Sequence, residues 1–309
     1  MLQANSVFIV TLGIILMGYL IKKYNYVSET EGKVISRFLM HTTFPALMII
    51  STARVKLESA LALIPFLCLL LGACSVIAAW RVFKNQSVKL RGILIMGAGG
   101  LNVGLFGFPL IEGIWGTEAL VYAVMFDIGN TIMTFGVVYP IGSYFAREGA
   151  ERIGTRKILK RVFSLPPVTG MVIGLLINIL HIPLPEIAFK FLEVLAGANK
   201  ALVLLLMGIY LSFELNKAQM KFIAKLLGIR YFFGLLAVGL LVYFLEPSLM
   251  QSVLIVLVIL PLGMTILPFS DEFGFDSRIA GTLVNLSLLI SFALIWFLVL
   301  VLDLGMVNK

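Results

Sequence analysis

The chain is a succession of apolar blocks, each about 20 residues long, separated by short polar gaps. No other feature limits the fold as much. A bilayer core of about 30 Å needs roughly 20 apolar residues at 1.5 Å rise each. Lipid offers no partner to backbone N–H and C=O groups, so a spanning segment must satisfy them internally, as a helix does. Barrel strands alternate apolar and polar residues, and these blocks do not. Only 13% of the residues are charged against 60% hydrophobic, where a soluble domain carries about a quarter charged. The expectation is an all-α membrane protein with ten transmembrane helices and no soluble domain.

The blocks place spans 1 to 5 at about 5–22, 34–52, 59–80, 93–115 and 118–146. Spans 6 to 10 fall at about 165–181, 186–213, 222–245, 250–270 and 278–303. The net charge of +8 is explained by membrane orientation, because the basic residues sit in alternate gaps; nucleic acid is not an expected partner. The gaps after spans 1 (Lys22, Lys23, Lys33), 3 (Arg81, Lys84, Lys89, Arg91), 5 (Arg147, Arg152, Arg156, Lys157, Lys160, Arg161) and 7 (Lys217, Lys221, Lys225, Arg230) are basic. The gap after span 2 holds Arg54 and Lys56 only, and those after spans 4, 6 and 8 hold neither Lys nor Arg. The odd gaps therefore face the cytoplasm, with both termini outside a cytoplasmic (inner) membrane; the gap after span 9, with Asp271, Glu272 and Asp276 against Arg278, fits least well. The N-terminus has no Lys or Arg before its first apolar block and is read as a retained helix, not a signal peptide. Cys68 and Cys74, six apart in one span, read as small buried hydrophobes on different faces, not as a disulfide or metal pair.

Spans 1–5 and 6–10 look like two copies of one unit. GIILMGYLIKKYNYVSE (13–29) matches GMVIGLLINILHIPLPE (170–186), and PALMII (45–50) matches KALVLL (200–205). Pro109 and Pro268, Asn102 and Pro261, and Gly104 and Gly263 are each 159 apart. A five-helix unit ends on the side opposite its start, so its tandem copy is inverted, as in many secondary transporters. The expected organisation is a first repeat over 1–146, a basic cytoplasmic linker over 147–164, and a second repeat over 165–309.

Span 4 reads GAGGLNVGLFGFPLIEG (97–113) and span 9 reads ILPLGMTILPFSDEFG (259–274). Gly lacks a Cβ and Pro lacks an N–H, so neither span is an uninterrupted helix. Gly and Pro also serve close packing in membrane helices, but interruptions at corresponding places in two halves point to a midplane binding site. Two broken helices that cross would bring half-helix N-termini together, and their partial positive charge suits a small organic anion.

Ionisable groups inside lipid usually mark a pathway or a pair. Asp127 in span 5 shares a face with Asn130, three residues on; Asp127 is a candidate proton or cation coupling site or a structural partner for a cation, and Asn130 a lining residue. Lys200 in span 7 shares a stripe with Glu186, Lys190 and Glu193, and is a candidate to attract an anion or to snorkel. Lys33, Arg37 and His41 form a comparable stripe in span 2; His41 is a candidate proton-linked group or a packed hydrogen-bonder. His181 sits at a helix end. Asn178, Ser270, Asn285 and Ser287 are expected to bond between helices, and Asn285 is also a lining candidate because span 10 corresponds to span 5. No nucleophile–base set, metal-ligand spacing or phosphate loop appears, so no enzyme activity, metal or cofactor is expected.

The run NVGLFGFPLIEGIWGTEALVYAVMFDIGNTIMTFG (102–136) resembles the auxin efflux carrier family of permeases, in its Asn, its Gly-x-x-Gly-x-Pro spacing and its FD-x-x-N segment. ALVLLLMGIYLSF (201–213), Pro261 and the stretch from Ala280 through Ser291 agree in the second half. The family includes plant PIN-type exporters and bacterial permeases assigned to malate or malonate. The gap of about 18 residues after span 5 resembles the compact bacterial kind. The resemblance implies scaffold spans 1, 2, 6 and 7, a transport domain of spans 3–5 and 8–10 with spans 4 and 9 crossed at its centre, elevator-like alternating access, and a homodimer through the scaffold. It implies Asn102, Pro109, Asp127, Asn130 and Pro261 around the substrate. Lys200 stands where members commonly have Pro, a departure that bears on substrate or coupling.

Three readings compete. The first is a carrier of a small organic anion. The second is a sodium- or proton-coupled carrier like the sodium–proton antiporters and bile-acid symporters; those place more carboxylates in the crossing, whereas here span 4 has none until Glu112 and span 9 none until Asp271. The third is a non-transporting receptor or a channel.

Overall fold

The structure, a computed structural model, describes residues 2–53, 59–146, 166–211 and 219–304. Within them the chain is helical, without strands, apart from an isolated antiparallel bridge between Leu101 and Leu262. Span 1 forms α1 (Leu2–Lys23). Span 2 forms α2 (Glu29–His41) and α3 (Thr43–Ala53), divided where Pro45 removes a donor from the first turn of α3. Span 3 forms α4 (Ile64–Val82) after a 3₁₀ turn at Ser59–Leu63. Span 4 is split into α5 (Val88–Gly99) and α6 (Phe108–Trp115), and span 5 into α7 (Leu120–Met133) and α8 (Tyr139–Phe145) around a π-turn. Then come α9 (Pro166–Ile179), α10 (Glu186–Tyr210) and α11 (Met220–Phe244); α12 (Leu249–Leu257) and α13 (Ile266–Phe273) from a split span 9; and α14 (Ser277–Val301).

Six helical stretches among the described residues are long and apolar enough to cross a membrane, and they coincide with spans 2, 3, 5, 7, 8 and 10. Spans 4 and 9 fall short of that length for a physical reason: each is two half-helices of 8 to 12 residues. Span 6 is the 14-residue α9.

The helices pack in two groups. In the first, α1 lies on α10, and α3 lies on α9 and α10. Their backbones touch: a Cβ at Gly18 would fall 2.1 Å from the Leu205 carbonyl oxygen, one at Gly208 1.9 Å from that of Ile15, and one at Gly174 2.7 Å from that of Ile49. Close approach of this kind maximises dispersion where lipid supplies no hydrophobic drive. Hydrogen bonds reinforce it: Thr43 Oγ1 to Asn199 Oδ1 at 2.7 Å, Asn178 Nδ2 to the Thr52 carbonyl at 2.9 Å, and Lys22 Nζ to the Leu211 carbonyl at 2.6 Å.

In the second group α4 packs on α5 and α7, α11 on α4 and α5, and α13 on α8 and α14. Trp115 Nε1 donates to the Leu304 carbonyl at 3.0 Å, Gln251 Nε2 to the Leu245 carbonyl at 2.8 Å, and the Tyr139 hydroxyl to Glu272. Tyr139, Phe269 and Phe273 stack edge-on or tilted around that last bond. The groups meet where α1 and α10 touch α6 and where α3 touches α7.

Two expectations need correction. Arg230, counted with the basic gap after span 7, lies in the middle of α11 and is buried. Ser270 bonds within its own helix, to the Ile266 carbonyl at 2.6 Å, as a buried serine does when the carbonyl one turn back is nearest. Cys68 is buried and Cys74 half-buried, both as free thiols. The basic residues expected between spans 5 and 6 lie outside the described residues, as do Arg54, Lys56 and Lys217.

Candidate functional site

The two broken spans meet. After α5 the chain turns extended at Gly100 (φ −86°, ψ 147°) and re-enters a helix through a π-turn over Val103–Gly107. After α12 the chain unwinds through Val258–Thr265 before α13. Unwinding strands backbone groups far from water, and each needs a partner. Some are supplied by the opposite break: the Asn102 N–H donates to the Pro261 carbonyl at 2.9 Å and the Gly263 N–H to the Gly100 carbonyl at 3.1 Å. Asn102 and Pro261, equivalent by spacing, are thus bonded to each other.

Side chains supply the others. Asn130, on α7, reads both polar groups of Leu101, accepting from its N–H at 2.8 Å and donating to its carbonyl at 3.0 Å. On α14, Ser287 Oγ accepts from the Leu262 N–H at 3.0 Å, and Ser291 Oγ donates to the Ile259 carbonyl at 2.7 Å. The Tyr231 hydroxyl donates to the Ser287 carbonyl at 2.8 Å, and Arg230 Nη2 to the Leu260 carbonyl at 2.9 Å. The breaks are therefore held open by a built lattice, not left as loose loops.

Against this lattice lies a niche of about 10 Å³, lined by Asn102, Met207, Tyr210, Pro261, Met264, Val284, Asn285 and Leu288. It adjoins a vestibule of about 930 Å³, with Tyr210, Met264, Val284 and Asn285 common to both. Glu29, Lys33, Ser36 and Arg37 of α2 form one wall of the vestibule; Asp271, Ser277 and Arg278, where α13 passes into α14, form the other. The Asn102 backbone is used by the bridge, but its side-chain amide, only 5% exposed, has no hydrogen-bond partner among the described residues. The amide opens onto the niche and is not sealed behind it.

The other sequence candidates distribute as follows. Pro261 and Asn285 line the niche with Asn102. Asn130 is buried behind it, bonded to Leu101, and its Nδ2 also donates to Asp127 Oδ1 at 3.0 Å. Asp127 is thus tied to the break through Asn130. Pro109 is buried in α6, just after the π-turn, and outside the niche lining. His41 is exposed, its Nδ1 2.7 Å from the Arg37 carbonyl, and lines neither space. Lys200 lies in α10, its side chain outside the described residues. Glu186 and Lys190 form an exposed pair at 2.8 Å. Asn178 and Ser287 bond between helices as expected.

Sequence reasoning missed Tyr210, Met264, Tyr231, Ser291 and Arg230. Only Arg230 carried a legible signal, an arginine eight residues inside an apolar block that begins near 222.

The model of a family described as membrane transport protein matches residues 5–299. The chain is 26% identical over 284 residues to an uncharacterized transporter of Methanothermobacter thermautotrophicus, covering 90% of this chain and 91% of the relative. It is 24% identical over 217 residues to an uncharacterized transporter of Methanocaldococcus jannaschii, covering 67% of this chain and 68% of that protein. With spanning helices around two interlocked breaks, the chain belongs to the membrane transport protein family, the auxin efflux carrier family that its sequence resembles, and is a multi-pass membrane transporter.

Proposed function

We propose that the protein is a secondary carrier of a small organic anion, a carboxylate of the malate, malonate or auxin-like class, working by elevator-type alternating access. The observation that carries this reading is the Asn102 amide, without a partner among the described residues and open to a niche between the two packing groups. An amide N–H₂ suits a carboxylate, and the N-terminal ends of α6 and α13 add partial positive charge at the same crossing. Asn285 extends the polar lining. Lys200, on α10, is a further anion contact in this reading.

The packing supports two inverted repeats within ten spans. Gly18 meets Leu205, and Gly174 meets Ile49; both the glycines and their partners are 156 residues apart. Repeats over 1–146 and 165–309 joined by a 147–164 linker account for that offset. The hydrogen bonds described between helices join members of one group, α1, α3, α9 and α10 in the scaffold or α4–α8 and α11–α14 in the transport domain. Such a division suits a sliding domain. The vestibule opens where the α1–α2 and α13–α14 connections lie, the side given to the cytoplasm by the basic gaps. In this reading the termini are outside an inner membrane, the carrier faces inward, and the scaffold pairs two copies. In this reading Asp127, whose Oδ1 accepts from the residue that holds Leu101, links protonation to the site, and His41 is a second, more remote candidate.

Uptake of radiolabelled dicarboxylates, amino acids and aromatic acids into proteoliposomes tests this reading. One class should show saturable uptake that Asn102→Ala lowers by about 10- to 100-fold, the worth of a hydrogen bond to a charged group. Unchanged uptake in that variant removes the assigned site. Asp127→Asn should abolish any dependence on a proton gradient, and retained dependence excludes Asp127 from coupling.

A further inference from the structure

A broken helix creates two kinds of electrostatic end. The N-terminal end favours an anion, whereas the C-terminal end and the carbonyls freed beyond it favour a cation. In crossed broken-helix transporters the second kind of end is where a coupling Na⁺ is coordinated. Here α12 stops at Leu257, and the Ile259 and Leu260 carbonyls lie beyond it.

That position already holds a cation. Arg230 reaches it from α11, 3% exposed, with Nη2 2.9 Å from the Leu260 carbonyl oxygen. Among the described residues no carboxylate pairs with it, and its buried Nε has no acceptor. A guanidinium is charged at every accessible pH, and a lone buried charge is expensive unless something offsets it. The carbonyl end of α12 is the compensation in reach. The corresponding end in the first half differs: the Leu101 carbonyl takes the neutral Asn130 amide.

We propose that Arg230 is a tethered cation standing in the place of a coupling Na⁺ at the end of α12. Three consequences follow. The crossing needs no sodium to hold its shape. The Leu260 carbonyl is drawn away from the niche that its neighbour Pro261 lines. A permanent positive charge sits one residue behind the anion site, travelling with the transport domain. The functional meaning rests on the crossing being the transport site, but the test below reads the cation alone and needs no substrate.

The test compares wild type, Arg230→Ala and Arg230→Lys in nanodiscs, each in sodium chloride, choline chloride, and choline chloride with millimolar methylguanidinium. Thermal midpoint and amide exchange over residues 258–263 are read. Wild type should melt identically in sodium and choline. Arg230→Ala should exchange about tenfold or more faster at the break, and sodium or methylguanidinium should restore protection there, while Arg230→Lys retains most of it. A wild-type midpoint raised by sodium over choline overturns the proposal, because a separate sodium site then exists. Unaltered exchange in Arg230→Ala overturns it too, as does a loss that neither cation restores and that Arg230→Lys shares. If Arg230→Ala does not fold, Arg230→Lys against Arg230→Gln decides in the same way: equal loss excludes a role for the charge. Absent uptake of every carboxylate, with these cation results as expected, would remove the proposed function and leave the tethered cation standing.

Discussion

Replacing Asn130 with alanine takes two partners at once from the break in span 4. The side chain accepts from the Leu101 N–H at 2.8 Å and donates to the Leu101 carbonyl at 3.0 Å, both buried. Neither group has a helical neighbour to turn to, because the chain is extended there, and lipid and packed side chains exclude water. Each buried backbone group left unsatisfied costs about 1–3 kcal/mol, so the variant should lose about 2–6 kcal/mol. An ordinary interhelical bond in a membrane protein is worth only about 0.6 kcal/mol. Thr43→Val provides a single-group reference, since it leaves one buried side-chain acceptor, Asn199 Oδ1, without its donor and strands no backbone group of a break, at a cost of about 1–3 kcal/mol. Equilibrium unfolding in mixed micelles with rising dodecyl sulfate gives both numbers, and amide exchange at Leu101 localises the effect. A loss for Asn130→Ala no larger than that for Thr43→Val would refute the view that Asn130 holds the break.

Two further outcomes follow. Gly208→Ala should cost about 1–3 kcal/mol by overpacking, because its Cβ would fall 1.9 Å from the Ile15 carbonyl oxygen, while Gly197→Ala, with nothing within 4 Å, should be nearly neutral; equal effects in the same unfolding assay would contradict the close approach of α1 and α10. Ser36→Cys and Ser277→Cys, both in the vestibule walls, should react with an impermeant maleimide in inside-out vesicles and resist it in right-side-out ones; the reverse pattern would invert the orientation.

Much of this was legible in the chain because each legible part depends on local chemistry. Apolar runs fix helices, and Gly and Pro at 97–109 and 259–268 fix where they break. The face shared by Asp127 and Asn130 follows from helical spacing and is realised as a 3.0 Å bond. What stayed hidden depends on which break lies against which helix. The equivalence of Asn102 and Pro261 was visible as a spacing of 159, but not that equivalent residues would bond to each other. Tyr210 and Met264 look like any apolar lining until the niche forms between groups far apart in sequence. Ser287 and Ser291 read as generic polar residues of a helix, yet they satisfy the stranded backbone of span 9. Arg230 was grouped with its basic neighbours Lys221 and Lys225, because charge counting ignores depth.

The central claim is that the crossing is a transport site which moves as part of one helix group against the other. Gly104, in the broken span 4, faces the Phe44 ring of α3 across the divide, where a Cβ would lie 3.4 Å from it. A Phe44→Cys/Gly104→Cys protein without its native cysteines, bridged by mercury(II) in proteoliposomes, tests the claim most directly. Carboxylate uptake should stop on bridging and return when dithiothreitol removes the metal. Undiminished uptake through the fully bridged protein would contradict the claim.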